Sequence, residues 1–478
     1  MKRGILALLL TGMLTICALA GTAWASDAAE PPPMDHSAYI RGRSEGVFAP
    51  NAPLTRAEAA SMLDALLHTA GGEADTDAGF LDVPADAWFA VPVARLTAGG
   101  ILGGYPDGSF RPQKPISRAE FVSVLVRCFL AAGGTADFAD VPAGHWAEEA
   151  VAAASARGWV RGYDGGTFRP DRSITRAEAV TALNAALGRT PAAENLREYG
   201  IRPFADVRPE DWFYAAVTEA STVHEWDDPA DGGGELWLGF AYPDSGLAPG
   251  LRQVGGSLYQ VDEHGQILSL PAGFQILEGK TYCVAADGGI PFPGEGPFQL
   301  DGQLYCRHAD GSLLLDEDYG VLHFDGSGRY TCGDAAMDAQ VQALLVGCTD
   351  ASMTRPQQLR AAYDCLRDNC RYLSRAHHPR GSTSWLMESA NFWFAHHRGN
   401  CYCFAAVFHY LAQQLGYQAV PVSGGVGPRD ADHAWVMIDG RIYDPEYESQ
   451  QWTVNQRRCD LFGVLPENAP FTYHFPAE

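Results

Sequence analysis

The spacing of hydrophobic positions changes character along the chain. Behind Lys2 and Arg3 an apolar run covers 5–20, and Ala23-Trp24-Ala25 follows as a small-x-small site. This predicts a secretory leader over 1–25. From about 36 to 221 apolar residues recur at helical spacing between Gly-rich loops such as GGYPDGSF (103–110) and RGYDGGTF (161–168). From 251 to 335 the pattern shortens to strand-like runs separated by Asp-Gly or His-Gly turns. Helical spacing returns with Leu359, Tyr363, Leu366, Cys370 and Leu373, all expected in the core, and with Phe404, Val407, Phe408, Leu411 and Leu415, closed by Gly416. Alternation over 433–438 then predicts a strand, Asp439-Gly440 a two-residue turn, and 441–444 the return strand. The domains expected are a helical module (36–221), a Gly/acid-rich linker (222–250), a β-hairpin spacer (251–335) and an α+β domain (336–478).

The helical half is repetitive. FLDVPADAW (80–88), FADVPAGHW (138–146) and FADVRPEDW (204–212) alternate with GVFAPNAPLTRAEAASML (46–63), GSFRPQKPISRAEFVSVL (108–125) and GTFRPDRSITRAEAVTAL (166–183). Thr55/Glu58, Ser117/Glu120 and Thr175/Glu178 form capping boxes, which explains the Ser/Thr and the Glu. Capping does not explain Arg56, Arg118 and Arg176, spaced by 62 and 58 residues, since cations are disfavoured at a helix N-terminus. A guanidinium fork beside free N–H groups makes an anion pocket. The alternative is coincidence with capping. Trp88, Trp146 and Trp212 are assigned to the core on their size, with a groove as the other possibility.

These motifs resemble three S-layer homology (SLH) repeats. The resemblance implies a three-fold, mostly α-helical module that binds an acidic, often pyruvylated secondary cell-wall polysaccharide noncovalently. It implies that Arg56, Arg118 and Arg176 contact the sugar carboxylate. The FAPNAPLTRAE segment around Arg56 lacks the Gly-Tyr loop that precedes the other two.

In the middle region Tyr259, Tyr282, Tyr305 and Tyr330 recur at steps of 23, 23 and 25. This region is similar to the aromatic–glycine wall-binding repeats of Gram-positive surface proteins. Its tyrosines either form the core of a spacer or touch glycan. Cys283 and Cys306 follow equivalent tyrosines and are expected to bridge.

The net charge of −24 argues against nucleic acid as a partner. No stretch after the leader reaches the ~18 apolar residues of a membrane span. Of 11 cysteines one lies in the leader and nine lie between 283 and 459, a count compatible with disulfides in an exported protein. His377, His378, His396, His397, Cys401, Cys403 and His409 are plentiful ligands, but no paired CxxC with fixed spacing is present. No metal and no cofactor are expected.

HRGNCYCFAAVFHYLAQQLG (397–416) places Cys401 in the first turn of a helix, where a thiolate is favoured. Cys403 lies about 200° further round that helix and points elsewhere. Downstream, a turn at 439–440 pairs Trp435 with residue 444. His433 then lies diagonal to Asp444, within reach of a carboxylate–imidazole hydrogen bond. The order Cys, His, Asp resembles the transglutaminase-like (papain-like thiol) superfamily, through RGNCYCFAAVF, DHAWV and YDPEYE. The resemblance implies Cys401 as nucleophile, His433 as base and Asp444 as its orienter. Asp444-Pro445-Glu446 stands where the family has Asp-Pro-Thr. The Cys401 N–H is expected in the oxyanion hole, with Trp385 or Trp393 as second donor. The expectation is a secreted, wall-bound bacterial thiol enzyme acting on extracellular peptide or glutamine amides. The competing expectation is a wall-bound scaffold or adhesin whose thiol site is inactive.

Overall fold

The computed structural model describes residues 36–67, 79–227, 234–292, 294–350, 352–456 and 458–476. The expected leader lies outside them. The described chain forms two compact units, one running to Ala272 and including Ala285–Gly289, the other comprising Gly273–Val284 and the chain from Ile290 onward. The division falls inside the hairpin array.

In the first unit, α1 (Arg56–Leu67), α2 (Ala90–Ala98), α3 (Arg118–Cys128), α4 (Glu148–Ala156), α5 (Arg176–Leu187), α6 (Ala193–Glu198) and α7 (Tyr214–Ser221) are the regular elements of 36–221, separated by irregular loops. Helices α1, α3 and α5 start at the three capping boxes: each Glu carboxylate accepts the N–H of its own Thr55, Ser117 or Thr175 at 2.8–2.9 Å. Just before these helices the chain closes a ring. Leu54 N–H donates to Ile174 O, Ile174 N–H to Ile116 O, and Ile116 N–H to Leu54 O, at 2.9–3.1 Å. All three side chains are fully buried, so the repeats share one apolar axis.

The second motif supplies a further cyclic lock. Asp82 accepts the N–H groups of Phe110 and Arg111, Asp140 those of Phe168 and Arg169, and Asp206 those of Phe48 and Ala49, all at 2.7–2.8 Å. Ala49, Arg111 and Arg169 adopt left-handed backbone (φ 57–60°). The carboxylate holds two adjacent donors of that turn. The third motif, FADVRPEDW, therefore completes the first TRAE segment, and the two ends of the repeat region close the ring together.

Trp88, Trp146 and Trp212 are 61–66% exposed, not core. Each lies just ahead of its helix, and the following residue (Phe89, Ala147 or Phe213) takes the interior place. Residues 222–250, expected as a linker, carry an antiparallel hairpin of Val223–Asp227 and Leu236–Ala241. A second hairpin joins Gly250–Val254 to Ser257–Val261.

The second unit begins with hairpins Gly273–Leu277/Lys280–Val284 and Gly296–Leu300/Gln303–Arg307, then a three-stranded sheet of Glu317–Tyr319, Leu322–Phe324 and Tyr330–Thr331. Tyr259 of the first unit and Tyr282, Tyr305 and Tyr330 of the second are all buried. Cys283 and Cys306 are free. They belong to separate two-stranded sheets, each opposed within its own hairpin, by Phe274 and Pro297.

The chain continues through α8 (Ala335–Cys348), α9 (Arg355–Asp368), α10 (Leu386–His396), α11 (Cys401–Gln414) and α12 (Pro445–Thr453). The sheet comprises β1 (Val420–Val426), β2 (Ala431–Ile438), β3 (Arg441–Tyr443), β4 (Phe462–Val464) and β5 (Tyr473–His474), in the order β4-β3-β2-β1-β5 and antiparallel throughout. A disulfide joins Cys348 to Cys365, from the end of α8 to α9. Helix α9 ends at Asp368, so Cys370 and Leu373 follow it, partly buried, while Leu359, Tyr363 and Leu366 are core. Every residue of α11 is buried, which makes it the central helix of this unit.

Candidate active site

Cys401 is the first residue of α11, behind the N-cap Asn400. The preceding Gly399 is not loose: its N–H donates to Arg371 O (3.1 Å) and its O accepts from Leu373 N–H (2.8 Å). A Cβ on Gly399 would meet Cys403 Sγ at 2.6 Å. Cys403 thus fills the space beneath the loop, and burial pushes its thiol pKa up. The two neighbouring cysteines face different surroundings, and both are free.

The β2–β3 turn has the expected register, with Ile438 opposite Arg441 and Val436 opposite Tyr443. Strand β3 stops at Tyr443, and Asp444 becomes the N-cap of α12. Its Oδ1 accepts Tyr447 N–H at 3.1 Å. Its Oδ2 lies 2.6 Å from His433 Nε2 and accepts the Tyr473 hydroxyl at 2.9 Å. Asp444 is 1% exposed and His433 4%. Nε2 faces Asp444, so Nδ1 is the ring nitrogen that the carboxylate does not engage, and the Cys401 sulfur is near enough to act on the charge of the ring. Burial pulls the His433 pKa down, but the Asp444 carboxylate and the Cys401 sulfur outweigh it and hold the pKa well above the ordinary value. The fold therefore brings Cys401, His433 and Asp444 near one another.

Two surrounding features were not legible in sequence. Tyr473, on the far edge strand, is the second partner of Asp444 Oδ2; its sequence position gives no signal of this. Glu446 is buried beside the pair, with Oε1 lacking a hydrogen-bond partner, and burial pushes its pKa up to about 7. His433, Asp444 and Glu446 hold potential metal-ligand atoms within 4.8 Å of one another. The bonds to Tyr447 N–H, His433 and Tyr473 already occupy both Asp444 oxygens, which suits an orienter better than a ligand. Of the expected oxyanion donors, Trp385 Nε1 is committed to Ser382 O at 2.5 Å, whereas Trp393 Nε1 is buried without a partner. A cleft of about 580 Å³ lies among the hairpins around Lys280, His308 and Glu317, and Cys401 does not line it.

The repeat arginines lie elsewhere, in the first unit. Arg56, Arg118 and Arg176 are only 3–6% exposed. Arg56 donates to Phe110 O and Gly103 O, Arg118 to Phe168 O and Arg161 O, and Arg176 to Phe48 O and Arg41 O. Each guanidinium fork grips the loop of the next repeat, which explains Arg at a position where capping alone would not ask for it. Arg176 Nη1 also binds Glu58 at 3.0 Å.

Comparison with known proteins bears on both units. The S-layer homology domain model matches residues 37–60, 79–122 and 137–180, and the Transglutaminase-like superfamily model matches 342–454. The chain thus carries an SLH region followed by a transglutaminase-like domain. It is 34% identical over 200 residues to a cellulosome-anchoring protein of Acetivibrio thermocellus, covering 40% of this chain and 44% of that one. It is 32% identical over 220 residues to cell surface glycoprotein 1 of the same organism, with 41% and 9% covered. It is 32% identical over 145 residues to a surface-layer 125 kDa protein of Lysinibacillus sphaericus, with 29% and 12% covered. The chain spans less than half the length of these curated relatives. Among solved structures, the choline-binding domain of Spr1274 from Streptococcus pneumoniae aligns at 19% identity over 18% of this chain and 95% of that one, with a TM-score of 0.15. That likeness is too slight to inform the fold. The SLH region and the surface-protein relatives indicate a cell-wall or cell-surface location and support wall anchoring. No helix among the described residues is long and apolar enough to cross a membrane.

Proposed function

We propose that the chain is a wall-anchored thiol enzyme that performs acyl chemistry on peptide or glutamine amides. The observation that carries this reading is the buried 2.6 Å His433–Asp444 bond, with Cys401 of the helix start close enough to influence the imidazole. In the reaction, the Cys401 thiolate adds to the amide carbonyl and the His433 imidazolium gives its proton to the leaving amine. The C–N bond breaks, leaving a thioester on sulfur. Water or a second amine then attacks that thioester and yields its proton to His433, giving an acid or a new amide and freeing the thiol. Asp444 holds the ring in one orientation throughout and stabilises the imidazolium. Hydrolysis of a peptide, deamidation of glutamine and cross-linking to lysine differ only in the acyl donor and the acceptor.

Anchoring would come from the SLH ring and an acidic wall polysaccharide. Arg56, Arg118 and Arg176 are the proposed carboxylate contacts through donors their carbonyl partners leave over. The exposed Trp88, Trp146 and Trp212, one per repeat, support glycan stacking. Isolated wall polysaccharide should co-sediment with the protein and not with an Arg56→Ala/Arg118→Ala/Arg176→Ala variant whose circular dichroism is native.

The competing reading is a wall-bound scaffold or adhesin with an idle thiol. It draws on the 3% exposure of Cys401. Iodoacetamide, small enough for such a site, decides at pH ~6, where a thiol of ordinary pKa near ~8.5 reacts slowly. Fast labelling at Cys401 that disappears in His433→Ala supports the enzyme. No labelling, or labelling at Cys403, supports the scaffold.

A further inference from the structure

A second cluster of chemically capable side chains lies at the opposite end of the sequence. His36, Glu219, His224 and Glu235 are each at most 8% exposed, and each turns one potential ligand atom inward, all within 4.8 Å of one another. His36 Nδ1 is 2.9 Å from Glu219 Oε1, 3.1 Å from His224 Nε2 and 3.6 Å from Glu235 Oε2, and His224 Nε2 is 3.2 Å from Glu219 Oε2. Nitrogen and oxygen ligands at ~2.0–2.1 Å from a four-coordinate zinc lie about 3.3 Å apart along the tetrahedron's edges. The four separations bracket that value.

The protons do not satisfy this arrangement unaided. His224 Nδ1 is 3.0 Å from Thr222 O, and a carbonyl only accepts, so Nδ1 carries the proton. In the neutral ring, Nε2 then presents a lone pair to Glu219 Oε2 and to His36. Glu219 Oε2 is fully buried with no hydrogen-bond partner. One proton on His36 Nδ1 serves either Glu219 or His224, not both. The rest of the surroundings resembles the outer support of a metal site. The carbonyl fixes the His224 tautomer, and Thr190 N–H holds Glu235 Oε1 at 3.0 Å. Trp226 stacks on His36 at 4.9 Å and Trp237 on His224 at 3.8 Å. Arg189 approaches Glu219 at 3.7 Å, so with the two carboxylates the site carries one net negative charge for a cation to meet.

We infer that His36, Glu219, His224 and Glu235 form a structural site for a divalent transition metal, zinc by its ligand set and geometry. The metal would clasp the segment ahead of the first repeat to the end of α7 and the hairpin behind it. Its ligands lie up to 199 positions apart in the chain, which is why spacing motifs did not reveal it and no metal was expected.

The test uses the full chain, stripped of metal with a chelator and titrated with Co²⁺ and then Zn²⁺. The expected result is one metal per chain and Co²⁺ absorption of a four-coordinate nitrogen/oxygen site without thiolate charge-transfer bands. Zn²⁺ should also raise the unfolding temperature. Cys401→Ser should bind as the wild type does. Glu219→Gln and His224→Gln should weaken binding by more than the roughly 10–100-fold that loss of an outer-shell partner costs. His36→Gln, outside every helix, reads the same loss if the other variants misfold. Absence of stoichiometric binding to the folded wild type, or binding unchanged in His36→Gln and His224→Gln, would overturn the assignment.

Discussion

The two units use buried charge in opposite ways. In the SLH ring the charged motif residues serve the backbone: the arginines hold carbonyls of the next repeat, and Asp82, Asp140 and Asp206 hold adjacent N–H groups. Each such contact occurs three times. In the thiol unit a buried carboxylate, Asp444, meets His433 at a single place, near the Cys401 sulfur. Charged side chains that hold backbone groups at three equivalent positions are the mark of a scaffold. A single unrepeated cluster beside a thiol is what the proposed acyl chemistry requires.

The sharpest break of this contrast is at Cys401. Cys401→Ala should abolish acyl transfer and alkylation, whichever amide is the substrate. Asp444→Asn should cut kcat by about 10²–10⁴-fold while leaving the Cys401 side chain in place. It can be followed as the rate of Cys401 labelling where no substrate is known. An equal loss from Arg118→Ala would mean that the two units are not functionally distinct.

Stability should respond in the other direction. Arg118→Ala leaves the Phe168 and Arg161 carbonyls without their donor, at a cost of about 1–3 kcal/mol per buried group. Denaturant unfolding monitored in the first unit measures it. Arg118→Lys should not rescue it, because a point ammonium does not reproduce the two-pronged grip.

Glu446 gives a pH test inside the thiol unit. Its folded pKa, raised from 4.5 to about 7 by burial, means the folded state holds its proton more tightly than the unfolded one. Stability is therefore undiminished below pH ~4.5, falls as pH rises toward 7 and stays lower above, by a few kcal/mol at most. Glu446→Gln should raise the unfolding temperature at pH 8 and change it little at pH 4. A stabilisation independent of pH would show that Glu446 is not the titrating group.

The smallest effect is expected at the exposed indoles. Trp88→Ala, Trp146→Ala and Trp212→Ala should each change stability by less than about 0.5 kcal/mol, yet weaken sedimentation with wall polysaccharide. Unchanged sedimentation in the triple variant would confine glycan contact to the arginine side of the repeats.

Much of both units could be read in the chain because local rules governed it. The capping boxes, the Asp439-Gly440 turn with its register and the placement of Cys401 on a helix start follow from short-range backbone chemistry, and each is found where the motifs put it. The three-fold repetition was equally visible, since each unit repeats its own turn and cap residues. What the sequence left undecided depends on which side of an element faces inward and what arrives there from far away. The indoles read as core on size alone, but the residue after each one fills the interior. The arginines read as anion forks, but each turns two of its donors to neighbouring carbonyls. Tyr473 reaches Asp444, Asp206 reaches Phe48 and His36 meets His224 across separations that no local pattern encodes. Buried polar atoms must find partners wherever the fold supplies them, so only the tertiary structure determined which motif residues were spent on holding the protein together and which remained free to act.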